Sequence, residues 1–143
     1  AIMLSNGPGD PEEAQGVIAE LKKLSAHKLP TFGICLGHQL LALSHGFKTF
    51  KLKYGHRGAN QPARDLVTDR IFITSQNHGY AVDPSTIDAN VAKERFVNSN
   101  DGTCEGIDYV NEPTFSVQFH PEACGGPKDT AYLFDRFFDM MEV

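Results

Sequence analysis

Gly33-Ile34-Cys35-Leu36-Gly37 sets a thiol between two glycines in the G-x-nucleophile-x-G pattern. The β-prone stretch Leu29–Ile34 precedes it, and the apolar, helix-forming run Leu36–His45 follows it before Gly46. Small flanking residues permit a strained strand-to-helix turn that projects the central side chain. A sulfur at that point faces the unpaired N–H groups and positive pole of the helix, which stabilise negative charge and so arm it as a nucleophile. The N–H of Leu36, next in the chain, points where an oxyanion would form. The competing reading is a core cysteine, the ordinary fate of a free one. The glycine pair weighs against it, and a matching base elsewhere in the chain would decide the matter.

His120 is the candidate base among the six histidines. It follows the β-like run Thr114–Phe119 and precedes Pro121-Glu122, so His120 and Glu122 lie two positions apart at the carboxyl end of a strand. A neutral imidazole would take the thiol proton and later return it to a leaving amine. A carboxylate on its other nitrogen would fix the tautomer and stabilise the imidazolium. His-x-Glu is equally compatible with a surface pair or half a metal site, but no second ligand pair stands at a usual zinc spacing. No metal is expected.

These groups need elements to carry them. Ala1–Leu4 reads as a strand that stops at Ser5–Pro11, where two glycines and two prolines forbid regular structure. Asp10, Pro11 and Glu13 supply an N-cap, a first-turn proline and a capping-box acid for a helix from about Pro11 to Ala26. Phe47–Lys53 looks extended, and Tyr54–Asp65, with its glycines and proline, reads as a loop. Arg70–Thr74 reads as a strand ending in a loop, Ser75–Tyr80. Further strands are expected at Val91–Val97, Glu105–Val110 and Thr114–His120. Lys128–Met141 carries an apolar stripe, Ala131, Phe134, Phe138 and Met141, at helical spacing.

The whole chain, 143 residues with 41% apolar and 22% charged side chains, has the balance of one globular α/β domain able to hold a core unaided. A net charge of −5 lacks the basic footprint of a general nucleic-acid binder. Apolar runs are too short for a transmembrane helix, and no opening segment resembles a signal peptide. Three cysteines, Cys35, Cys104 and Cys124, form no CxxC pair, which suits a reducing, cytoplasmic setting. Because Ala1 falls inside an apparent strand, an upstream segment of a longer protein is expected to be missing.

Gly33-Ile-Cys-Leu-Gly-His-Gln39, Phe119-His-Pro-Glu122 and the loop Asn6-Gly-Pro-Gly9 together resemble the class I (triad) glutamine amidotransferases. Within that class, Leu40–Lys53, Gly55–Pro62, Thr74–Asp83 and Pro121–Pro127 are similar to the small-subunit branch of the carbamoyl-phosphate synthetases. The resemblance covers nearly the whole chain. It implies a three-layer α/β/α sandwich, flavodoxin-like, with a mainly parallel central sheet whose amino-terminal strands are missing, so that residues 1–143 form a glutaminase domain truncated at its amino end.

The resemblance further implies that Cys35 attacks the side-chain amide of L-glutamine, with His120 as acid and base and Glu122 orienting it. Ammonia leaves and a γ-glutamyl thioester is hydrolysed. The N–H groups of Leu36 and Gly7 would form the oxyanion hole. Gly9, Gln39, Asn77, Gly79 and Tyr80 would hold glutamine, the glycines allowing close approach of the backbone. A large synthetase subunit would receive the ammonia and carry the ATP and metal chemistry for arginine and pyrimidine synthesis. The chain itself would need no cofactor, and no nucleic acid or membrane is implied. Two departures stand out: Cys124 occupies a position where serine is common, and Tyr80 one where phenylalanine is frequent.

The remaining candidates read as structural. His38, His45 and His78 fit hydrogen-bonded supporting roles, Cys104 an inert one, and Phe134, Phe137 and Phe138 helix-to-sheet packing. Lys48, Lys51, Lys53, Arg57, Arg64 and Arg70 fit a solvated surface. Two rival functions are a glutaminase subunit of an anthranilate- or guanylate-type synthase, which the Gly55–Pro62 stretch disfavours, and a non-catalytic fragment that only binds a partner. A third, a γ-glutamyl hydrolase or cysteine peptidase, would not prefer free glutamine.

Overall fold

The computed structural model describes residues 1–5, 7, 9–121 and 130–141. Among these, the chain forms β1 (Ile2–Leu4), α1 (Gln15–Ser25), β2 (Thr31–Ile34), α2 (Leu36–Ser44), β3 (Thr49–Asp65), β4 (Ile71–Val82), β5 (Ala92–Asn98), β6 (Cys104–Tyr109), β7 (Thr114–Val117) and α3 (Tyr132–Met141). One sheet holds the strands in the order β1-β2-β7-β6-β5-β3-β4. β1, β2 and β7 run parallel, and every other neighbouring pair is antiparallel. The parallel order expected from the sequence therefore holds where the elbow lies. It gives way to a mixed sheet beyond β7, because short connections join the later strands and only antiparallel neighbours can be joined that way.

Three layers result. On one face, Ile18 and Leu21 of α1 and Leu40, Leu41 and Ala42 of α2 pack on Val82, Ala92, Ile107 and Tyr109. On the other, Leu133 and Phe137 of α3 close over Phe32, Ile34, Phe96, Phe115 and Val117. Phe32 stacks on Phe115 with centroids 4.3 Å apart, and Phe134 and Phe137 approach it from the side. Phe138, by contrast, is 59% exposed and packs little. Buried on both faces, β2 and β7 are fully enclosed strands, as parallel sheet interiors must be.

Polar anchors tie the second half together. Arg95 grips Asp65 through Nε and Nη2 at 2.8 and 3.1 Å, and reaches Asp108 with Nη1 at 2.9 Å. Arg136 of α3 donates to the same Asp108 at 3.0 Å and lies 4.0 Å over the ring of Phe115.

Three local expectations change. The first helix splits at Ala14 (φ −90°, ψ 51°) into a 3₁₀ turn, Pro11–Glu13, capped by the Asp10 carboxylate, and α1. Tyr54–Asp65 and Ser75–Tyr80 are not loops but parts of the long hairpin β3–β4. Gly55 (φ 77°) and Gly58 (φ 111°) adopt the positive φ that only glycine takes freely. They adjoin the two register shifts, Lys51/His56 and Gly58/Gln61, so these glycines mark bulges in a strand rather than an interruption of it.

Candidate active site

Cys35 joins β2 to α2 with φ 55° and ψ −108°, a backbone region disfavoured for any residue with a side chain. The turn is held from both sides: its N–H donates to the Val117 carbonyl at 2.9 Å, and its own carbonyl accepts from Gln39 N at 3.2 Å. The flanking glycines are required by contact. A Cβ on Gly33 would lie 2.9 Å from the Gly37 carbonyl and 2.7 Å from Leu41 Cδ1, and one on Gly37 would run into the Leu4 carbonyl oxygen. The helix start thus sits directly against the ends of β1 and β2.

An open cleft of about 700 Å³ lies over this turn. Gly7, Gly9, Cys35, Leu36, Gln39, Asn77, Gly79 and Tyr80 all line it, so segments far apart in sequence converge there. Gly7 packs so closely that a Cβ on it would approach Leu36 Cδ2 to 2.8 Å, setting the loop after β1 against the helix start. Gly9 (φ 95°) and Gly79 have no heavy atom near the position of a Cβ, leaving their backbone open to whatever the cleft holds.

His120 lies three positions beyond Val117, whose carbonyl takes the Cys35 N–H, so it follows the end of β7, the parallel neighbour of the strand that leads into Cys35. Its N–H donates to the Ser75 carbonyl at 2.9 Å, tying this turn to β4. Glu122 and Cys124 lie outside the described residues.

Behind the cleft runs a buried polar network. Gln39 Nε2 donates to the Tyr80 carbonyl at 2.8 Å and to Gln118 Oε1 at 2.9 Å, and Gln118 Nε2 donates to Cys35 Sγ at 3.6 Å. His78 Nδ1 shares the Tyr80 carbonyl at 2.8 Å, and its Nε2 lies 2.7 Å from Gln76 Oε1. His56 faces two carboxylates, Asp101 at 2.7 Å and Glu105 at 3.3 Å. The Glu105 carboxylate, with that of Asp101, outweighs burial and pushes the His56 imidazole up to about 9. Burial drives His78 down to about 4, against the pull of the Tyr80 carbonyl and helped by His56, His120 and Arg57. His38, fully buried with Nδ1 2.7 Å from Ser116 Oγ, is pushed down to about 3 by burial and by His78. Desolvation raises Glu105 despite its partners His56 and Asn98.

His56, His78 and Glu105 bring ligating atoms within 4.8 Å of one another. Both His78 nitrogens and His56 Nε2 have hydrogen-bond partners, whereas among the described residues His56 Nδ1 and Glu105 Oε2 are buried without one.

The sequence reading missed Asp10, Lys51, Arg57 and His78 as cleft residues and Gln118 as a neighbour of the sulfur. Lys51 and Arg57, expected on a solvated surface, reach the cleft because the register pairs them with Tyr80 and Asn77. A polar Gln118 between the apolar Val117 and Phe119 was the available signal for that residue.

A strained cysteine elbow beneath an open cleft places this three-layer α/β protein among those built around a nucleophile elbow. Residues 1–140 match the family Glutamine amidotransferase class-I, and the chain belongs to that family. It is 55% identical over 98% of its length to the carbamoyl phosphate synthase small chain of Staphylococcus saprophyticus, spanning 38% of that protein. It is 57% identical over 99% of its length to the arginine-specific carbamoyl phosphate synthase small chain of Saccharomyces cerevisiae, spanning 35% of it. The chain thus covers well under half of these relatives. Among solved structures, a GMP synthase-type protein of Thermoplasma acidophilum matches 97% of this chain and 71% of its own, with a TM-score of 0.82 at 20% identity. A Thermotoga maritima glutamine amidotransferase matches 98% of this chain and 66% of its own, at 0.69 and 19%. At such identities the likeness establishes the fold.

Proposed function

We propose that this chain is the glutaminase domain of a glutamine-hydrolysing carbamoyl-phosphate synthase. The observation that carries the reading is Cys35 held on a strained turn in the cleft that Gly7, Gly9, Leu36, Gln39, Asn77, Gly79 and Tyr80 line. In the proposed reaction, Cys35 Sγ bonds to the side-chain carbonyl carbon of L-glutamine while its proton passes to His120. The oxygen gathers charge facing the N–H groups of Leu36 and Gly7. Collapse breaks the C–N bond, His120 returns the proton, and ammonia leaves. Water activated by the same imidazole then cleaves the thioester to glutamate. Glu122 is the proposed orienting carboxylate. Lys51 and Arg57 offer positive charge to the substrate α-carboxylate, and Asp10 offers negative charge to its ammonium.

Ammonia protonated in water is no nucleophile, so the proposal includes a large synthetase subunit that receives it directly and holds the ATP and metal used to make carbamoyl phosphate. Identities of 55–57% to carbamoyl phosphate synthase small chains, against 20% to the GMP synthase relative, favour this branch over a guanylate-type partner. Among the described residues no helix is long and apolar enough to cross a membrane, and a cytoplasmic location is part of the proposal.

The test uses the full-length chain. An electrophilic glutamine analogue should label Cys35 in the wild-type protein and much more slowly after His120→Ala, and Cys35→Ser should lower glutamine hydrolysis by a factor of about a thousand or more. Hydrolysis that persists in Cys35→Ser would overturn the assignment.

A further inference from the structure

The geometry points to Gln118 as the residue that holds the Cys35 sulfur in its reactive state, an inference that rests on the glutaminase reading of the cleft. Gln118 is completely buried, and its backbone N–H is fixed on the Glu105 carbonyl at 2.7 Å. Its side-chain amide lies between Gln39 and Cys35, and the orientation of that amide follows from chemistry. The Tyr80 carbonyl can only accept, so Gln39 must turn its NH₂ toward it, at 2.8 Å. The second hydrogen of that NH₂ then meets Gln118 at 2.9 Å, which must present its carbonyl oxygen. What remains facing Cys35 Sγ, at 3.6 Å, is the NH₂ of Gln118. A backbone carbonyl on β4 thereby dictates, through two amides, that the sulfur meets a donor.

A donor aimed at sulfur favours thiolate over thiol, because the hydrogen bond strengthens as charge develops. The same bond fixes the χ1 of Cys35, so the sulfur is aimed at one place in the cleft. In the acyl-enzyme the sulfur is no longer charged and the bond weakens. Gln118 therefore acts on formation of the nucleophile and on its return as leaving group, and it does so without touching glutamine.

The experiment compares the full-length wild-type protein with Gln118→Met and Gln118→Glu. Iodoacetamide alkylation of Cys35 is followed against pH by peptide mass spectrometry, and kcat and KM for glutamine are measured in parallel. Met is unbranched and adapts to buried space. Its loss of the donor should displace the alkylation profile to higher pH and lower kcat about tenfold to a hundredfold, the range for a hydrogen bond to a charged group. Gln118→Glu keeps an acceptor for Gln39 but sets a carboxyl against sulfur. Its kcat should fall as pH rises through the titration of that carboxyl, a dependence that a packing role would not create. A folded Gln118→Met protein with the wild-type alkylation profile and kcat would overturn the proposal. A displaced alkylation profile in Gln118→Met, beside a wild-type protein that turns over no glutamine, would support the role of Gln118 while removing the glutaminase reading.

Discussion

His56 and His78 are cross-strand partners in the β3–β4 hairpin, their rings meeting edge to face at 5.0 Å. Their surroundings push them in opposite directions: the Glu105 and Asp101 carboxylates hold a proton on His56, and burial keeps one off His78. One strand of the cleft wall thus rests on a charged imidazole and the other on a neutral one.

That contrast sets a pH dependence. His56 is raised from 6.5 to about 9 in the folded protein, so its contribution to stability is complete below 6.5 and is lost as pH rises through about 9. By the size of the shift it is at most on the order of 3 kcal/mol, reduced by the solvent that screens half-exposed Asp101. Thermal unfolding of His56→Gln should show its deficit against wild type at pH 6 and little difference at pH 10. A deficit that grows with pH would contradict the assignment.

The Arg95 cluster should dominate the stability of the second half of the sheet. Removing the guanidinium leaves Asp65, which is 1% exposed, as an uncompensated buried carboxylate. Arg95→Met is expected to cost about 3–5 kcal/mol in urea unfolding. Arg95 holds Asp65 below its usual value of 3.8 against the opposing effect of burial. An Asp65→Asn protein should therefore show its deficit at neutral pH and lose it as pH falls below 4.

The elbow glycines separate by contact. Gly37→Ala drives a methyl into the Leu4 carbonyl, and Gly33→Ala into the Gly37 carbonyl. Each should cost about 1–3 kcal/mol or more and slow the reaction of Cys35 with glutamine analogues. Gly16, in α1 with nothing near its Cβ position, should by contrast tolerate alanine and gain up to about 1 kcal/mol. Denaturation midpoints of the three variants would show the ordering.

Strain at Cys35 can be measured by substitution. At an ordinary buried site alanine is more stabilising than glycine. At φ 55° and ψ −108° the order should reverse, with Cys35→Gly more stable than Cys35→Ala by about 1 kcal/mol, both inactive. Equal unfolding free energies, or alanine ahead, would mean that the turn stores nothing.

The elbow and its helix were legible because each is written locally, in glycine spacing and apolar periodicity, whereas the convergence of Gly7, Gly9, Gln39, Asn77, Gly79 and Tyr80 was legible only through the family resemblance, since nothing local ties those segments together. The hairpin was not. Gly55 and Gly58 carry the same signal whether they end a strand or bulge it, and only the facing strand β4 decides which. For the same reason the buried Gln76 and His78 looked like loop residues: a polar side chain on an inward face is recognisable only once its partners are known. Lys51 and Arg57 looked like surface charge because sequence spacing says nothing of the register that turns them toward the cleft.

The bond from Cys35 N–H to the Val117 carbonyl makes the nucleophile's own backbone one rung of the sheet. Its separation from Val117 is consequently inherited from the interstrand distance, about 4.7–4.9 Å in any β-structure. Evolution is then free to lengthen, bulge or rewrite the antiparallel excursion between β2 and β7, with the elbow kept in step with the end of β7 by a dimension that belongs to polypeptides in general.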